Sequence, residues 1–288
     1  MISNRNLDSH TTLYGVFGDP VRHSRSPLMM NRAFQEMGIN AAYAAFHVKP
    51  DELGNAVAGI RALGFRGVNV TIPHKVEVMR HLDAIDEGAR RIGAVNTIVN
   101  ENGKLTGFNT DGIGYVRSLQ EETGIELEGM RVLLLGAGGA ARGVAFSLAK
   151  AGVRRIVIAN RTIDRAIELA TAIGEFTDTE GTGLDDLADK MGSVDIIVNT
   201  TSAGMHPHVA ELPMNSELIE SEHIVSDLIY NPRITRFLKE AEARGAKIHG
   251  GLGMFIYQGA YALEYWTGNA APAAAMRHIV EQSLQEQE

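Results

Sequence analysis

The stretch Arg131-Val-Leu-Leu-Leu-Gly136-Ala-Gly138-Gly139-Ala-Ala141-Arg142 decides the fold of the second half of the chain. The four apolar residues before Gly136 indicate a strand that is buried on both faces. The glycines then interrupt the pattern, and apolar residues recur at helical spacing from Ala141 onward. This order is typical of a dinucleotide-binding βα unit, because the glycines let the backbone approach a pyrophosphate at the helix N-terminus. The alternative is a tight turn with no ligand.

The composition is that of a globular protein and excludes several functional classes. The 288 residues suffice for one large or two ordinary domains, and the mean hydropathy is -0.07. A net charge of -8 offers no basic surface to nucleic acid or anionic membranes, and the absence of cysteine excludes disulfides and thiol sites. No apolar run approaches the ~20 residues of a membrane span. Residues 1–12 are polar, unlike a secretory signal, so we expect a cytoplasmic protein.

The end of the next strand indicates which dinucleotide binds. Residues 155–159 form this predicted strand, which ends at Asn160-Arg161-Thr162. Proteins that bind NAD usually place Asp or Glu there to hold the ribose 2′-hydroxyl, whereas an arginine accommodates the 2′-phosphate of NADP. Asp164 lies inside the following helix, where it complements the helix dipole. The sequence therefore favours NADP.

Further strands complete this half of the chain. They are predicted at residues 194–199, 224–227 and 246–249. Small polar residues that begin with Thr200 follow the first of them and fit the far half of a dinucleotide. The pair His206 and His208 has no cysteine or nearby acid beside it, so we interpret it as part of a loop and predict no metal site.

The N-terminal part has the pattern β-α-β-α-β, which implies parallel strands. These strands are predicted at residues 13–17, 43–48 and 67–71. Ser24 and Ser26 follow the first strand, and Thr71 and Lys75 follow the third, so all four should lie at the carboxyl edge, where ligands bind. Ser26 before Pro27 also fits a helix N-cap, which alone would explain it. Ser24 is not needed as a cap, and the two hydroxyls would suit a carboxylate or a sugar-like ring.

Lys75 is the charged residue whose position most needs a physical explanation. It stands near a predicted helix start, which is the unfavourable end of the helix dipole for a positive charge. An anionic partner or substrate would offset this; the alternative is a solvated surface charge. His74 is a weaker candidate, because a lone histidine is more often structural or exposed than catalytic.

Asn102-Gly103 predicts a two-residue β-hairpin turn. The register of this hairpin places Asn96 opposite Asn109, with Asp111 two residues further on. Spacing leaves open whether these side chains share the edge of Lys75. If they do, Asp111 and Lys75 with neighbouring amides and hydroxyls would form a proton-transfer site for a polyol; the alternative is ordinary turn chemistry.

Two residues near the C-terminus are further candidates. Tyr230 follows a strand end beside Pro232 and suits a pocket at least as well as the core. Gln258 lies among apolar positions of a helix that opens after Gly250-Gly251. A buried glutamine needs hydrogen-bond partners, so Gln258 is either exposed or directed into a cleft.

Together these motifs resemble those of the shikimate dehydrogenase family over nearly the whole chain. One motif alone would be weak evidence, but nine in the same order are very specific. The motifs are Ser24-Arg-Ser26-Pro27, Asn69-Val-Thr71-Ile-Pro73-His-Lys75, Gly93-Ala-Val-Asn96-Thr, Asn109-Thr-Asp111-Gly112, Gly136-Ala-Gly-Gly-Ala, Asn160-Arg161-Thr162, Asn199-Thr-Thr-Ser, Asp227-Leu-Ile-Tyr230-Asn-Pro232 and Tyr257-Gln258-Gly259-Ala260.

The resemblance implies an α/β fold of two domains. Residues 1–111, completed by 251–288, would form an α/β substrate domain with a mainly parallel sheet. Residues 112–250 would form an inserted, doubly wound Rossmann-type domain that binds NADP.

The resemblance also implies a reaction and roles for particular residues. Lys75 and Asp111 would be the catalytic pair in the reversible NADPH-dependent reduction of 3-dehydroshikimate to shikimate, a step of aromatic amino acid biosynthesis. The substrate ligands would be Ser24, Ser26, Thr71, Asn96, Asp111, Tyr230 and Gln258. The NADP ligands would be Gly136, Ala137, Gly138, Gly139, Ala140, Asn160, Arg161, Thr162, Thr200 and Gly251.

Three other functions stay open at this point. They are a quinate/shikimate dehydrogenase that uses NAD or both cofactors, a non-catalytic NADP-binding sensor of the same fold, and a reductase of another hydroxy acid. Arg161 and the missing strand-end acid count against the first, and the Lys75/Asp111 pair counts against the second. The expected partner is a small-molecule substrate, not nucleic acid or a membrane, and a homodimer is one possible assembly.

Overall fold

The computed structural model describes residues 7–286, which form two compact units. The first unit runs up to Thr110 and resumes at Gly259, and the second spans Asp111–Gln258. The predicted domain boundaries lay at 111/112 and 250/251. Residues 1–6 of the segment that we interpret as lacking a signal lie outside the described residues.

Strands and helices alternate along most of the chain. The strands are β1 Thr12–Gly18, β2 Ala41–His47, β3 Gly67–Val70, β4 Ala84–Ile85, β5 Thr97–Glu101, β6 Lys104–Phe108, β7 Arg131–Leu135, β8 Arg155–Ala159, β9 Asp178–Thr182, β10 Ile196–Asn199, β11 Ile224–Asp227 and β12 Lys247–His249. The α-helices are α1 Ser26–Glu36, α2 Leu53–Ala62, α3 Glu87–Ile92, α4 Asp111–Thr123, α5 Gly139–Lys150, α6 Ile163–Ile173, α7 Arg236–Ala243, α8 Leu252–Thr267 and α9 Ala273–Gln285.

The sheet of the first unit has the strand order β2-β1-β3-β5-β6-β4. Strands β2, β1 and β3 are parallel, as the β-α-β-α-β pattern predicts. The β5–β6 hairpin then pairs antiparallel with β3. Because β1 and β3 are parallel neighbours, the loops that follow them leave the sheet at the same edge.

The predicted hairpin register is confirmed. Thr97 pairs with Phe108 and Glu101 with Lys104. The turn residues Asn102 and Gly103 have φ angles of 53° and 90°, the left-handed conformation that a type I′ turn requires at both positions.

The core of the first unit depends on a close contact between α8 and the sheet. Trp266 donates its indole N–H to the carbonyl oxygen of Ile98 at 2.9 Å. Its ring lies directly over Gly67, where a Cβ atom would be 2.0 Å from the indole nitrogen. Any larger residue at position 67 would therefore displace the tryptophan.

The sheet of the second unit is fully parallel, in the order β12-β11-β10-β7-β8-β9. Read from β9, the strands occur as 3-2-1-4-5-6 in chain order, which is the Rossmann arrangement with its switch point between β7 and β10. The predicted α/β class, with a doubly wound sheet, is confirmed.

Alternate residues of β7 supply two cores on opposite faces of this sheet. Val132 and Leu134 pack with α5 and α6, whereas Leu133 and Leu135 pack with α7. This explains the run of apolar residues before Gly136, since a strand covered on both faces has no polar side.

Two short strands were not predicted. β4 has two residues, too few for an alternating pattern. β9 has the sequence Asp-Thr-Glu-Gly-Thr and lies at the sheet edge, where Glu180 accepts hydrogen bonds from Arg155 and Lys190 at 2.5 Å each. None of the helices between residues 7 and 286 is both long and apolar enough to cross a bilayer.

Candidate active site

The glycine-rich turn lies at the switch point of the second unit. Gly136 follows β7 with a φ of +107°, and a Cβ atom there would lie 2.6 Å from Oγ1 of Thr200. The backbone N–H and the hydroxyl of Thr200 both donate to the carbonyl oxygen of Leu135, at 2.9 and 2.7 Å. Thr200 thus fills the space that a side chain at position 136 would need, so only glycine permits this turn.

A cavity of about 470 Å³ opens beside this turn. Its lining includes six of the predicted NADP ligands, namely Gly136, Ala137, Gly138, Asn160, Arg161 and Thr200. Gly138 is the N-cap of α5 in extended conformation, so the free N–H groups of the first helical turn begin at the cavity. The helix dipole makes this end favourable for phosphate.

Four predicted NADP ligands lie outside that lining. Gly139 and Ala140 are the first residues of α5, and Thr162 is the N-cap residue of α6. Gly251 is packed so tightly that a Cβ atom would be 2.1 Å from the carbonyl oxygen of Leu228. That contact alone accounts for a glycine at position 251.

The residues that follow β8 have the chemistry expected of a binding site for a 2′-phosphate. Asn160 and the exposed Arg161 line the cavity, and the amide of Asn160 donates to the carbonyl oxygen of Thr162 at 2.9 Å. No carboxylate follows the strand directly, because Asp164 is in the first turn of α6. The residues therefore fit a dinucleotide that carries an anionic group on its adenosine ribose.

The rest of the cavity lining was mostly missed from the sequence. It contains Leu184 together with the segments 201–203 and 211–213. The polar run after β10 pointed to the first segment, but only Thr200 was named. The others come from loops distant in sequence, for which the chain carries no motif.

The interpretation of His206 and His208 needs one correction. An acid does lie near, because Nδ1 of His208 is 3.5 Å from Oε1 of Glu211, with both side chains exposed. Within residues 7–286, no group of three or more His, Cys, Asp or Glu side chains is placed to hold a metal ion.

A buried acid connects the strands next to the cavity. Asp227 at the end of β11 accepts hydrogen bonds from Asn199, from the backbone N–H of Ile229 and from the hydroxyl of Thr235, at 3.1, 3.0 and 2.8 Å. Burial raises the pKa of Asp227 to about 6, although these bonds act to lower it. The amide of Asn199 also donates to the carbonyl oxygen of Ala203, which lines the cavity.

In the first unit, the loops after β1 and β3 meet as predicted. The backbone N–H of Thr71 donates to Phe17 and that of Asp19 donates to Ile72, at 2.9 and 3.0 Å. The Thr71 side chain packs against Gly18, where a Cβ atom would be 2.4 Å from the threonine methyl group. The Ser24 and Thr71 loops are therefore held together at one edge of the sheet.

The start of α1 differs from the prediction at Ser24 and Ser26. The N-cap residue of α1 is Arg25, and Ser26 is already helical, so the prediction that Ser26 caps the helix was wrong. Ser24 instead accepts the backbone N–H of Ser26 at 3.2 Å. This bond satisfies a helix N–H that has no intrahelical partner, so Ser24, judged unnecessary as a cap, stabilises the helix start.

Lys75 lies in a turn before a five-residue 3-10 helix, Glu77–His81, and not at the start of an α-helix. Its carbonyl oxygen accepts the backbone N–H of Val95 at 2.8 Å. The neighbouring His74 is buried and donates from Nε2 to the carbonyl oxygen of Val48 at 2.7 Å. His74 is thus structural and fixes the backbone that presents Lys75.

The hairpin brings Asn96 to the same edge of the sheet as Lys75, a point that the sequence spacing had left open. The carbonyl oxygen of Asn96 accepts the backbone N–H of Val70 at 2.8 Å, one residue before Thr71. Its side-chain oxygen accepts the N–H of Thr110 at 2.8 Å, and its amide donates to the hydroxyl of Thr110 at 2.9 Å. Ser24, Thr71, Lys75 and Asn96 therefore all belong to one edge of the first sheet.

The remaining candidates belong to the second unit. Asp111 is the first residue of α4. Tyr230 stacks on Phe255 with ring centroids 4.6 Å apart, and the amide of Gln258 donates to the carbonyl oxygen of Phe255 at 2.9 Å. Phe255 is thus the common support of Tyr230 and Gln258.

Three family descriptions match successive parts of the chain. Residues 16–98 match the shikimate dehydrogenase substrate binding domain, residues 118–233 match shikimate/quinate 5-dehydrogenase, and residues 251–281 match the shikimate 5'-dehydrogenase C-terminal domain. The matched ranges cover most of the chain. The chain belongs to the shikimate dehydrogenase family.

Individual members of the family are similar over nearly their full length. A shikimate dehydrogenase (NADP(+)) of Geobacillus sp. (strain WCH70) is 52% identical over 94% of this chain and 98% of its own. A shikimate dehydrogenase solved in complex with NADP+ is 44% identical, with a TM-score of 0.91 over 97% of this chain and 98% of that one. The shikimate 5-dehydrogenase of Listeria monocytogenes, solved with shikimate and NAD, is 38% identical, with a TM-score of 0.90 over 96% and 98%.

Proposed function

We propose that this chain catalyses the reversible, NADPH-dependent reduction of 3-dehydroshikimate to shikimate. One observation carries the proposal: a relative named shikimate dehydrogenase (NADP(+)) is 52% identical over 98% of its length. The chemistry of both units supports it. The first unit would be the substrate domain and the second the NADP domain.

NADP fits the cavity of the second unit. The backbone of the glycine turn and the N-terminus of α5 would hold the pyrophosphate, and Arg161 would pair with the 2′-phosphate. Thr200 and the segment after it would hold the far half. When bound, NADPH supplies the hydride of the reduction.

Lys75 and Asp111 would share the proton transfer. Negative charge grows on the ketone oxygen as the ketone is reduced, and a protonated Lys75 would stabilise that charge and donate the proton. Asp111 would favour the charged form of Lys75 and fix its position.

The other candidates would recognise the substrate. Ser24 and Ser26 would donate hydrogen bonds to its carboxylate. The ring hydroxyls would be bound by Thr71, Asn96, Asp111 and Gln258, and Tyr230 would line the pocket. The held geometry of the Ser24 and Thr71 loops supports this assignment, because a site that is rigid before binding loses less entropy when the substrate binds.

The test is a spectrophotometric assay of NADP+ reduction with shikimate and with quinate, side by side. We expect efficient turnover of shikimate and much lower kcat/KM for quinate. Equal efficiencies would indicate a quinate/shikimate dehydrogenase, turnover of simple 2-hydroxy acids alone would indicate another reductase, and NADP+ binding without turnover would indicate a sensor.

A second candidate is the same reaction with NAD or with both cofactors. It is favoured by the Listeria relative, which was solved with NAD. Arg161 and the absence of an acid directly after β8 oppose it. A ratio of kcat/KM that favours NAD+ over NADP+ would replace the NADP assignment.

We further propose a cytoplasmic location and a homodimer. The enzyme would use the cytoplasmic NADPH pool, so fractionation of cells should recover it in the cytoplasmic extract. Sedimentation equilibrium should give twice the chain mass of 31.1 kDa. A single species at the chain mass would exclude the dimer.

A further inference from the structure

Asn199 ends β10 and its side chain forms four hydrogen bonds, although the proposed function gives it no role. The side chain is fully buried. Its amide nitrogen donates to the carbonyl oxygen of Ala203 at 3.2 Å and to Oδ1 of Asp227 at 3.1 Å. Its oxygen accepts the backbone N–H and the hydroxyl of Thr201, at 3.0 and 2.7 Å. Both amide hydrogens and both lone pairs of this carboxamide are therefore used.

The orientation of the Asn199 carboxamide follows from partners that can act in only one way. A carbonyl oxygen only accepts, so the amide nitrogen must face Ala203, and a backbone N–H only donates, so the oxygen must face Thr201. The hydroxyl of Thr201 donates its proton to Asn199 and, through a lone pair, accepts the backbone N–H of Ala203 at 3.1 Å. Residues 201–203 are thus tied at both ends to one buried side chain.

Asp227 anchors this arrangement to the sheet. It lies on β11, in register with Asn199 on the neighbouring β10. Asp227 is itself held by the backbone N–H of Ile229 at 3.0 Å and by the hydroxyl of Thr235 at 2.8 Å, and its side chain is fully buried. The conformation of residues 201–203 is therefore set from the core of the sheet.

The same three residues line the cavity of the glycine turn. In the sheet, β7 lies between β10 and β8. The residues after β8, which include Arg161, fit the adenosine 2′-phosphate, and the glycine turn after β7 fits the pyrophosphate. Residues 201–203 follow β10, so they lie on the other side of the pyrophosphate, where the nicotinamide half of the dinucleotide would extend.

We propose that Asn199 is a positioning residue of the cofactor site, which holds residues 201–203 in the conformation that receives the nicotinamide half of NADP. The inference rests on the proposed function, in which NADP occupies this cavity. Asn199 is fully buried and acts only through the segment that it holds. Because this segment is ordered before NADP binds, binding loses less conformational entropy than it would with a loose segment.

The test compares two ligands by isothermal titration calorimetry. One is NADP+, and the other is 2′,5′-ADP, which has the adenosine and its 2′-phosphate but no nicotinamide half. Asn199→Ala releases residues 201–203, so we expect the Kd for NADP+ to rise by about 10-fold. The Kd for 2′,5′-ADP should change by less than about twofold, because its contacts would lie at the glycine turn and after β8. A loss of stability of the whole fold would weaken both ligands alike.

Substitutions of Thr201 test whether Asn199 acts through the segment. Thr201→Val removes the hydroxyl but keeps the shape, and it should raise the Kd for NADP+ by about 3- to 10-fold, whereas Thr201→Ser keeps the hydroxyl and should restore the affinity. In the N199A background, T201V should add less than about twofold, because both changes break the same link. If N199A does not fold, T201V and T201S are compared with both ligands: selective loss of NADP+ affinity in T201V and recovery in T201S support the inference, and an unchanged Kd in T201V overturns it.

Ser226→Ala is the matched control. Ser226 is fully buried on β11 and is hydrogen-bonded to the hydroxyl of Tyr115 at 3.0 Å and to Nδ1 of His249 at 2.8 Å. It precedes Asp227, so its side chain lies on the opposite face of the strand. S226A removes a buried polar group from the same sheet without changing a partner of Asn199, so both Kd values should stay as in wild type.

Three results would overturn the inference while the proposed function stands. The first is a Kd for NADP+ in N199A equal to that of wild type and S226A. The second is an equal loss of affinity for NADP+ and 2′,5′-ADP in N199A, which would show a general structural role. The third is a full, additive effect of T201V in the N199A background, which would show that Thr201 contacts NADP+ independently of Asn199. Failure of the proposed function is distinct, because wild-type protein would then not bind NADP+ or would not oxidise shikimate with it.

Discussion

Asp227→Asn should stabilise the protein at neutral pH and leave it nearly unchanged in acid. Burial raises the pKa of Asp227 to about 6 from the ordinary 3.8. A raised pKa means that the folded state holds the proton more tightly than the unfolded state. The resulting cost to stability is absent below about pH 3.8, grows as the pH rises to about 6, and is complete above that value. The difference between these two pKa values corresponds to a loss of about 3 kcal/mol in the free energy of unfolding.

The asparagine can keep the geometry of the site. Its oxygen would accept from Asn199 and from the N–H of Ile229, as Oδ1 of Asp227 does. Its nitrogen would face the hydroxyl of Thr235, which can accept instead of donate. The variant therefore removes the buried charge and gives up the hydrogen bond that the buried hydroxyl of Thr235 donates to the carboxylate.

Differential scanning calorimetry from pH 4.5 to 8 measures the effect. About 2 kcal/mol of the cost develops over this range. For a domain of this size, we expect the Tm of Asp227→Asn minus that of wild type to rise by about 4–8 °C between the two pH limits. Carboxyls with lowered pKa, such as Asp195 beside Arg131 and Glu180 beside Lys190, titrate in both proteins and cancel in the difference. A Tm difference that stays constant with pH would refute the reasoning.

Three further substitutions test the two units. Lys75→Ala should lower kcat by about 100- to 10,000-fold with a much smaller change in KM for shikimate, since Lys75 would act in the transition state; near wild-type turnover would remove it from the catalytic pair. Arg161→Ala should raise KM for NADP+ by about 10- to 100-fold and leave NAD+ unaffected; equal losses would show that it does not contact the 2′-phosphate. Gly136→Ala should lower the Tm, because φ is +107° and the new methyl group would clash with Thr200. The control Gly138→Ala should leave the Tm unchanged, because Gly138 has a φ of -85° and no atom lies within 4 Å of the position of its Cβ. Equal Tm values for the two variants would contradict this view of the turn.

The parts of the fold that the sequence predicted well are encoded over a few residues. The hairpin register follows from Asn102-Gly103, because that turn admits one pairing. The β7–α5 unit follows from the glycines, because no other residue fits at position 136 beside Thr200. Parallel neighbours and a common edge for Ser24 and Thr71 then follow from the right-handed crossover.

The parts that the sequence did not predict depend on contacts between distant segments. The polar strand β9 has no apolar alternation and is held by its neighbour β8 and by the charges of Arg155 and Lys190. The cap of α1 was assigned to Ser26, because its type and its place before Pro27 fit a cap equally well; the three-dimensional path of the loop gave the bond to Ser24. Residue type alone cannot rank two such neighbours.

The two ligands of the proposed reaction are recognised in physically different ways, which explains why one was easier to predict. The pyrophosphate would be bound by backbone N–H groups of one continuous segment, so a short motif suffices to reveal it. The substrate would be bound by side chains of the loops that follow β1 and β3 and by Asn96 before β5, whose side chain is held by Thr110. These side chains come from separate segments of the chain, so no single short motif reveals the substrate site. Their substitution should change substrate affinity and leave NADP+ affinity intact.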